Sequence, residues 1–347
     1  MAGRTGRVVR VHAYPSGPVR PGDLEVAEAP VPAVRDGEVL VRNECFAIDP
    51  ALRLRLQARP PAGYLAPIPV GGTPPGFALG VVEQSRAPGF AAGDVVTHAG
   101  GWREYAVVPA DGIPPLPLGS LTRVHPAPGV APRHYLGVLG ITGLTAYAGL
   151  FDTAALARGD VVWVSAAAGA VGSVVVQLAK RDGHRVVASA GTPDKVGFLL
   201  AELGADAAFS HRDGPVVDSV RACAPDGVDV YFDNVGGDHL AAALATLRVH
   251  GRIAACGAIA TYDSAPVPGP SAADLFAIVA HRLTVRGLRV GDHLDRLGDL
   301  RRELEPSVAS GDLVVAETVV RGLDAAPAAL ASLLDGRTVG RVVVELP

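Results

Sequence analysis

The sequence predicts an α/β protein with two parts: a doubly wound parallel sheet with helices on both faces, and a β-rich domain of short strands. Three observations predict it. The chain is 347 residues long, which suits two domains at about 100–200 residues each. Proline is unevenly placed: 20 of the 29 prolines lie before residue 136, and only Pro193, Pro215 and Pro225 fall between 136 and 265. Proline removes a backbone donor and fixes φ, so the first region suits short edge strands and turns. The middle region alternates short apolar runs with helical periodicity, the pattern of βαβ units.

In the first region the strand candidates are Val39–Asn43, Ala78–Gln84, Asp94–Thr97 and Glu104–Val107, with a turn signal from Gly89 to Asp94. In the middle region Val161–Ser165 reads as a buried strand followed by a helix over Ala170–Arg181. The strand Arg185–Ala190 and the helix Pro193–Leu203 come next. Further strands are expected at Ala207–Ser210, Val228–Phe232, Arg252–Cys256 and Leu283–Leu288. Beyond residue 310 the apolar stretch Leu313–Val320, a helix over Ala325–Leu334 and a strand over Val339–Glu345 resemble the first region more than the middle one. A chain that returns to its first domain explains this. The expected boundaries are 1–133, completed by about 311–347, and 134–310.

Composition narrows the function. Hydrophobic residues make up 49% and charged residues 19%, which is globular and not disordered. A net charge of −4 lacks the electrostatic footprint of a nucleic-acid binder, and no polybasic run addresses a membrane surface. The uncharged stretch from Val161 to Ala179 is long enough for a membrane span, but Ser165, Gly169, Gly172, Ser173 and Gln177 interrupt it. Met1–Arg10 carries charges with no apolar core after them, so no signal peptide is expected. Cys45, Cys223 and Cys256 are too widely spaced for a disulfide framework or a zinc clip. The expected compartment is the cytoplasm. Only Lys180 and Lys195 are lysines, against 29 arginines, so arginine reflects global composition and its clusters carry little by themselves.

The strongest local signal runs from Val161 to Gly172. A strand leads into a small-residue turn, A-x-G-x-x-G from Ala167 through Gly169 to Gly172, and then into a helix. Gly169 lets the backbone approach a pyrophosphate, and Gly172 lets the helix pack on the strand. The helix N-terminus offers N–H groups and a positive dipole end. This is the Rossmann arrangement for a dinucleotide. An NAD site carries an acid at the end of the second strand, but here that strand ends Ala188-Ser-Ala-Gly-Thr-Pro193. The missing carboxylate permits a 2′-phosphate. Lys195, His211 and Arg212 form the expected clamp for it, so the expected cofactor is NADPH.

A zinc-dependent alcohol oxidation site needs Cys and His ligands in the first domain. Cys45 has no nearby His, and His12, His98, His125 and His134 are scattered without ligand spacing. No metal is expected, and Cys45 reads as a small buried apolar residue. Without a Lewis acid, a conjugated enone or enal eases hydride addition. The hydride adds at the β-carbon, and charge develops on the carbonyl oxygen, where neutral donors can stabilise it.

Phe232-Asp-Asn-Val-Gly-Gly237 and Cys256-Gly-Ala-Ile-Ala-Thr-Tyr262 resemble the medium-chain dehydrogenase/reductase superfamily. More narrowly, they resemble its zinc-independent prostaglandin reductase and 2-alkenal (double-bond) reductase branch. Tyr135-Leu-Gly-Val-Leu-Gly-Ile-Thr-Gly-Leu-Thr-Ala-Tyr147 and Gly100-Gly-Trp-Arg-Glu-Tyr105 support the likeness. The resemblance implies a GroES-like catalytic domain joined to a Rossmann domain, and an enzyme that reduces activated C=C bonds. It assigns Gly169, Ala170, Val171 and Gly172 to the pyrophosphate and Lys195 to the 2′-phosphate, with His211 where the family usually has Tyr. It sets Asn234, Cys256, Leu288 and Val290 along the cofactor.

Tyr262 is the expected catalytic residue, since a phenol donates a hydrogen bond while neutral. The family's Asp-Pro-Tyr-Met-Arg is here Asp49-Pro-Ala-Leu-Arg53, so Ala51 widens the expected substrate side, made by Asp49, Ala51, Arg53 and Tyr64. The family's C-terminal Asn is here Thr338, a weaker cofactor contact. The resemblance also implies a homodimer through the edge strand at Leu283–Leu288. A quinone reductase on the same scaffold, or an NADPH-binding protein without turnover, are the alternatives.

Overall fold

A computed structural model describes residues 4–111, 120–263 and 268–347. The chain divides into two compact units, Met1–Gly137 with Glu317–Pro347, and Val138–Ala316.

The first unit opens with β1 (Thr5–Val11) and β2 (Leu24–Pro30), an antiparallel ribbon. No expectation covered these strands. Charged residues such as Arg7, Arg10, Glu25 and Glu28 dilute their apolar alternation. The long β3 (Glu38–Ile48) then organises the main sheet, pairing antiparallel with β4 (Ala78–Ser85) and β6 (Tyr105–Pro109). β5 (Val95–His98) follows β4, and the short β7 (Thr122–Arg123) follows β5. Asp94 closes the Gly89–Asp94 turn by accepting the Ala91 N–H at 2.9 Å. Cys45, Phe46, Ala47 and Ile48 are buried in succession, so both faces of the β3 end are covered. Phe46 packs on Trp102 with ring centroids 5.3 Å apart.

The second unit holds six parallel strands: β8 (Val161–Val164), β9 (Arg185–Ala190), β10 (Ala207–Ser210), β11 (Val228–Asp233), β12 (Leu247–Ala255) and β13 (Thr284–Gly287). Their order is β10-β9-β8-β11-β12-β13. The chain starts mid-sheet, works outward through β9 and β10, then crosses back to β11 and works outward the other way. Its helices are α1 (Ile141–Ala148), α2 (Gly172–Arg181), α3 (Pro193–Ala201), α4 (Val216–Cys223), α5 (Gly237–Thr246), α6 (Ala272–Ala280) and α7 (Leu297–Ser310).

On one face, alternate strand residues Trp163, Val187, Tyr231 and Ile253 pack with Val216 and Val220 of α4 and with Ala242 and Ala243 of α5. Val162, Val164, Val186, Ala188, Val230, Phe232 and Ala254, from the opposite phase, are equally buried. A parallel sheet covered on both faces reads as an unbroken apolar run, which is why Val161–Ala179 mimics a membrane span. It divides into β8, a turn and most of α2, and no described helix is long and apolar enough to cross a membrane.

α2 starts at Gly172 and not at Ala170, because the turn consumes two more residues. The chain then returns to the first unit through β14 (Glu317–Arg321), α8 (Ala326–Leu334) and β15 (Arg341–Glu345). β15 pairs antiparallel with β3 and parallel with β14. β14 starts four residues after Leu313, because the Leu313 N–H bonds the Ser307 carbonyl and the Val314 N–H bonds Gln177 Oε1.

Candidate functional site

In the second unit every strand is parallel, so all carboxyl ends emerge on one edge. The order reverses between β8 and β11, and such a switch point opens a ligand crevice. The first loop at that edge is the Gly-rich turn. Ala166 turns it at φ +46°. The Gly169 N–H bonds the Ala166 carbonyl at 2.9 Å, and the Ser173 N–H bonds the Gly169 carbonyl at 3.0 Å. A Cβ on Gly172 would stand 2.5 Å from the Ala166 oxygen, so only glycine lets α2 start this close to β8. Gly169, Ala170 and Val171 are part-exposed at the helix entrance. This is a cradle for a pyrophosphate.

A buried network seams β8 to β11 beneath that loop. The Asn234 side-chain amide donates to the Ser165 carbonyl at 2.7 Å, and its backbone N–H donates to Ser165 Oγ at 3.0 Å. The Tyr231 hydroxyl donates to Asp233 Oδ1 at 2.8 Å and lies 3.0 Å from Ser165 Oγ. The Val235 and Gly236 N–H groups, at 2.9 and 2.7 Å, complete the shell around the same carboxylate oxygen. Burial pushes the Asp233 carboxyl up, and these three donors pull it back. Gly236 sits at φ +68°, a backbone that disfavours side chains.

The loop after β12 is zipped to the loop after β11. The Cys256 and Gly257 N–H groups bond the Asp233 carbonyl at 2.9 and 3.0 Å. The Ile259 N–H bonds the Asn234 carbonyl, and the Ala260 N–H bonds the Val235 carbonyl. A Cβ on Gly257 would lie 3.2 Å from the Asn234 oxygen and 3.4 Å from the Tyr262 hydroxyl. The phenol of Tyr262 is therefore held over a glycine, beside the Asn234 backbone. Burial pushes the Cys256 thiol up to about 12, so it stays protonated. The Leu288 N–H bonds the Ala255 carbonyl at 2.9 Å, which brings Leu288 alongside Cys256. Val290 opens the next turn and is part-exposed.

A basic cluster forms where β9 and β10 end. A Cβ on Gly191 would meet His211 Cε1 at 3.2 Å and Arg212 Nε at 3.6 Å. Lys195 lies in the first turn of α3, whose N-cap Thr192 accepts the Lys195 N–H. Burial, and then the Arg212 charge, push the Lys195 ammonium down. The structure thus brings Lys195, His211 and Arg212 together around Gly191.

In the first unit Asp49 forms an ion pair with the buried Arg341, whose guanidinium also donates to the carbonyls of Leu136 and Ile48. Ala51 and Arg53 lie on the 3₁₀ turn Pro50–Arg55. Ala51 is part-exposed, whereas Arg53 is buried and donates to the Gly17 carbonyl at 3.2 Å. Burial, and then the Asp49 carboxylate, push the exposed Tyr64 phenol up, so Asp49 and Tyr64 share one neighbourhood. Thr338 stands part-exposed, three residues before Arg341.

Among the described residues no group of three or more His, Cys, Asp or Glu side chains could hold a metal ion. Cys45 packs against Ala47, Leu79, Leu136 and Val343, and burial pushes its thiol up to about 12. Sequence reasoning passed over Ser165, Tyr231, Gly191, His239 and Arg341. The first four lie at strand ends or in a helix as ordinary core or turn residues, with no spacing to mark them. Arg341 opens a strand, and its pairing with Asp49 across the sequence has no local signal.

Residues 7–116 match the family described as N-terminal domain of oxidoreductase, and residues 170–305 the family described as zinc-binding dehydrogenase. A 2-alkenal reductase (NADP(+)-dependent) of Nicotiana tabacum is 34% identical over 335 residues, 95% of this chain and 94% of that protein. Prostaglandin reductase 1 of Mus musculus is 33% identical over 331 residues, 93% of this chain and 94% of that one. The structure of CurA from Vibrio vulnificus in complex with NADPH superposes with a TM-score of 0.89 at 30% identity. That match covers 98% of this chain and 99% of the other.

Proposed function

The chain belongs to the zinc-independent medium-chain dehydrogenase/reductase family, and from that premise we propose that it is an NADPH-dependent reductase of the activated C=C bond in α,β-unsaturated ketones and aldehydes. The observation that carries this reading is the Tyr262 phenol, fixed over Gly257 where the loops after β11 and β12 are zipped together. NADPH, when bound, supplies the reducing equivalent that adds to the β-carbon of the substrate. Ala170, Val171 and Gly172 hold the pyrophosphate by backbone N–H groups, and Gly169, whose own N–H is bonded to the Ala166 carbonyl, lets the phosphate approach the backbone closely. Lys195, His211 and Arg212 hold the 2′-phosphate, with no carboxylate at Gly191 to repel it. Asn234, Cys256, Leu288, Val290 and Thr338 line the cofactor.

Tyr262 donates its hydroxyl proton as a hydrogen bond to the substrate oxygen, on which enolate charge develops. A neutral donor aimed at that charge lowers the barrier without being consumed, and the enolate then takes a proton from solvent at its α-carbon to give the saturated carbonyl product. Asp49, Ala51 and Tyr64 shape the substrate side, and the buried Arg53 braces the turn that carries Ala51 by donating to the Gly17 carbonyl. The Arg341 ion pair fixes Asp49, and the small Ala51 leaves room for ring-bearing enones.

The working form is a cytoplasmic homodimer. Its three cysteines are free thiols, in keeping with a reducing compartment. The edge strand β13 is exposed, and Leu275, Phe276 and Val279 of α6 expose apolar surface in the same unit. A second copy that pairs there covers both.

The test is NADPH consumption with a 2-alkenal, a cyclic enone and a quinone, for wild type and Tyr262→Phe. The reading requires turnover of both enones and a fall in kcat in the variant. Turnover of the quinone alone would identify a quinone reductase. No turnover with any of them, together with tight NADPH binding, would identify a cofactor-binding protein.

A further inference from the structure

The basic cluster holds one member that differs in kind from the other two. Lysine and arginine keep their charge across neutral pH, whereas an imidazole can lose it. His211 follows β10, with its backbone N–H bonded to the Ala190 carbonyl at 3.0 Å. Its ring meets the ring of His239 edge to face, with centroids 5.1 Å apart. His239, on α5, is 2% exposed. Its Nδ1 lies 2.9 Å from an Asp238 carboxylate oxygen, and its buried Nε2 has no hydrogen-bond partner among the described residues. Behind it, His239 stacks on Trp163, which stacks on Tyr231. His239 is therefore clamped from two sides, and it sets the wall against which the His211 ring stands.

The titratable and charged groups that face His211 are Arg212 beside it and His239 with Asp238 from α5, while Lys195 of α3 interacts with Arg212. Burial, followed by His239 and Arg212, lowers the His211 pKa, while the Ala190 carbonyl and Asp238 oppose the change. A dianionic phosphate set among Lys195, Arg212 and His211 inverts that balance, because an anion favours the charged imidazole.

We propose that His211 is a proton-coupled ligand for the cofactor 2′-phosphate, taking up a proton from solvent as NADPH binds, and that His239 is the positioning residue that holds its ring. The inference rests on the NADPH reading above. Its sign follows from linkage. Burial holds the pKa below the usual value near 6.5 in the free protein, and the phosphate raises it on binding. The extra affinity is thus fully present at low pH and is lost as pH rises through the bound-state pKa. Each unit by which the phosphate raises the pKa is about a tenfold change in affinity. The second ionisation of the phosphate, at about pH 6, acts in the opposite direction and below this window.

The experiment is calorimetric and fluorescence titration of the full chain with NADPH and with NADH between about pH 6.5 and 8.5. The calorimetry is repeated in two buffers of different ionisation enthalpy to count protons. Wild type should take up a measurable fraction of a proton with NADPH and none with NADH, and its NADPH Kd should rise about 10-fold across the range. His211→Gln and His211→Tyr should flatten that rise and lose the uptake, while Lys195 and Arg212 keep NADPH favoured. His239→Phe, which keeps a ring on Trp163, should shift the midpoint only while His211 is present. The same pH profile and proton count in wild type and both His211 variants would overturn the proposal. Equal NADPH and NADH affinity in wild type at every pH would remove the NADPH reading, and the proposal with it.

Discussion

Lys195, His211 and Arg212 gather around a glycine at the end of β9. There a carboxylate would select a ribose hydroxyl, and Gly191 leaves the place open to two cationic side chains and an imidazole. Lys195→Ala should weaken NADPH binding by about 10- to 150-fold, the usual worth of one charge-assisted contact, and leave NADH binding nearly unchanged. Equal losses for both cofactors would place Lys195 outside the clamp. Gly191→Asp should push the preference toward NADH, since the new side chain enters the space beside His211 and Arg212. Much of this corner was legible from residue types alone: the missing acid, one of only two lysines, and His-Arg after a strand. His239 was not legible. A lone histidine in a helix has no spacing signature, and its contact with His211 exists only once α5 covers the sheet.

At the scale of elements, the site depends on loops held by other loops. The turn before α2 depends on Gly172, because any Cβ there meets the Ala166 carbonyl. Gly172→Ala should cost about 1–3 kcal/mol, as overpacking does, and should weaken NADPH binding with it. Unchanged thermal stability and binding would show that the loop has slack. In the first unit, β5 ends on His98, whose tautomer is fixed by its partners. The Gly100 N–H donates to Nδ1 at 2.9 Å, so Nε2 carries the proton and donates to Asn43 Oδ1 at 2.9 Å. Burial pushes the His98 pKa down to about 3. A depressed folded-state pKa gives stability that is present above about pH 6.5 and lost as pH falls toward 3, at about 1.4 kcal/mol per pH unit. Urea unfolding at pH 7 and pH 5 should show that slope in wild type and a shallower one in His98→Gln. An identical slope would show that other groups carry the acid sensitivity. Strands such as Val161–Val164, and Arg185–Ala190 through its Val186–Ala188 centre, were readable because burial on both faces makes those stretches continuously apolar. β1 and β2 were not, because charges fall on both faces of that ribbon: Arg7 and Glu28 share the face of the buried Val9 and Val11, and Arg10 and Glu25 lie on the other.

At the scale of the whole molecule, the α/β class followed from proline placement and βαβ alternation. What sequence periodicity could not supply was strand order, and with it the seam where Ser165 meets Asn234 across 69 positions of sequence. If β13 and α6 form the subunit contact, Phe276→Asp should shift light-scattering mass from dimer toward monomer while far-ultraviolet dichroism is preserved. A wild-type monomer across micromolar concentrations would end the dimer proposal. Activity should also survive a strong chelator, and inhibition reversed by added zinc would reveal a metal site outside the described residues. The central claim, that the reducing equivalent enters the C=C bond, is tested most directly by turnover of an enone with NADPH deuterated at its transferable position. The account predicts deuterium on the β-carbon of a saturated product whose carbonyl is intact. Deuterium on the carbonyl carbon, in an allylic alcohol, would contradict it.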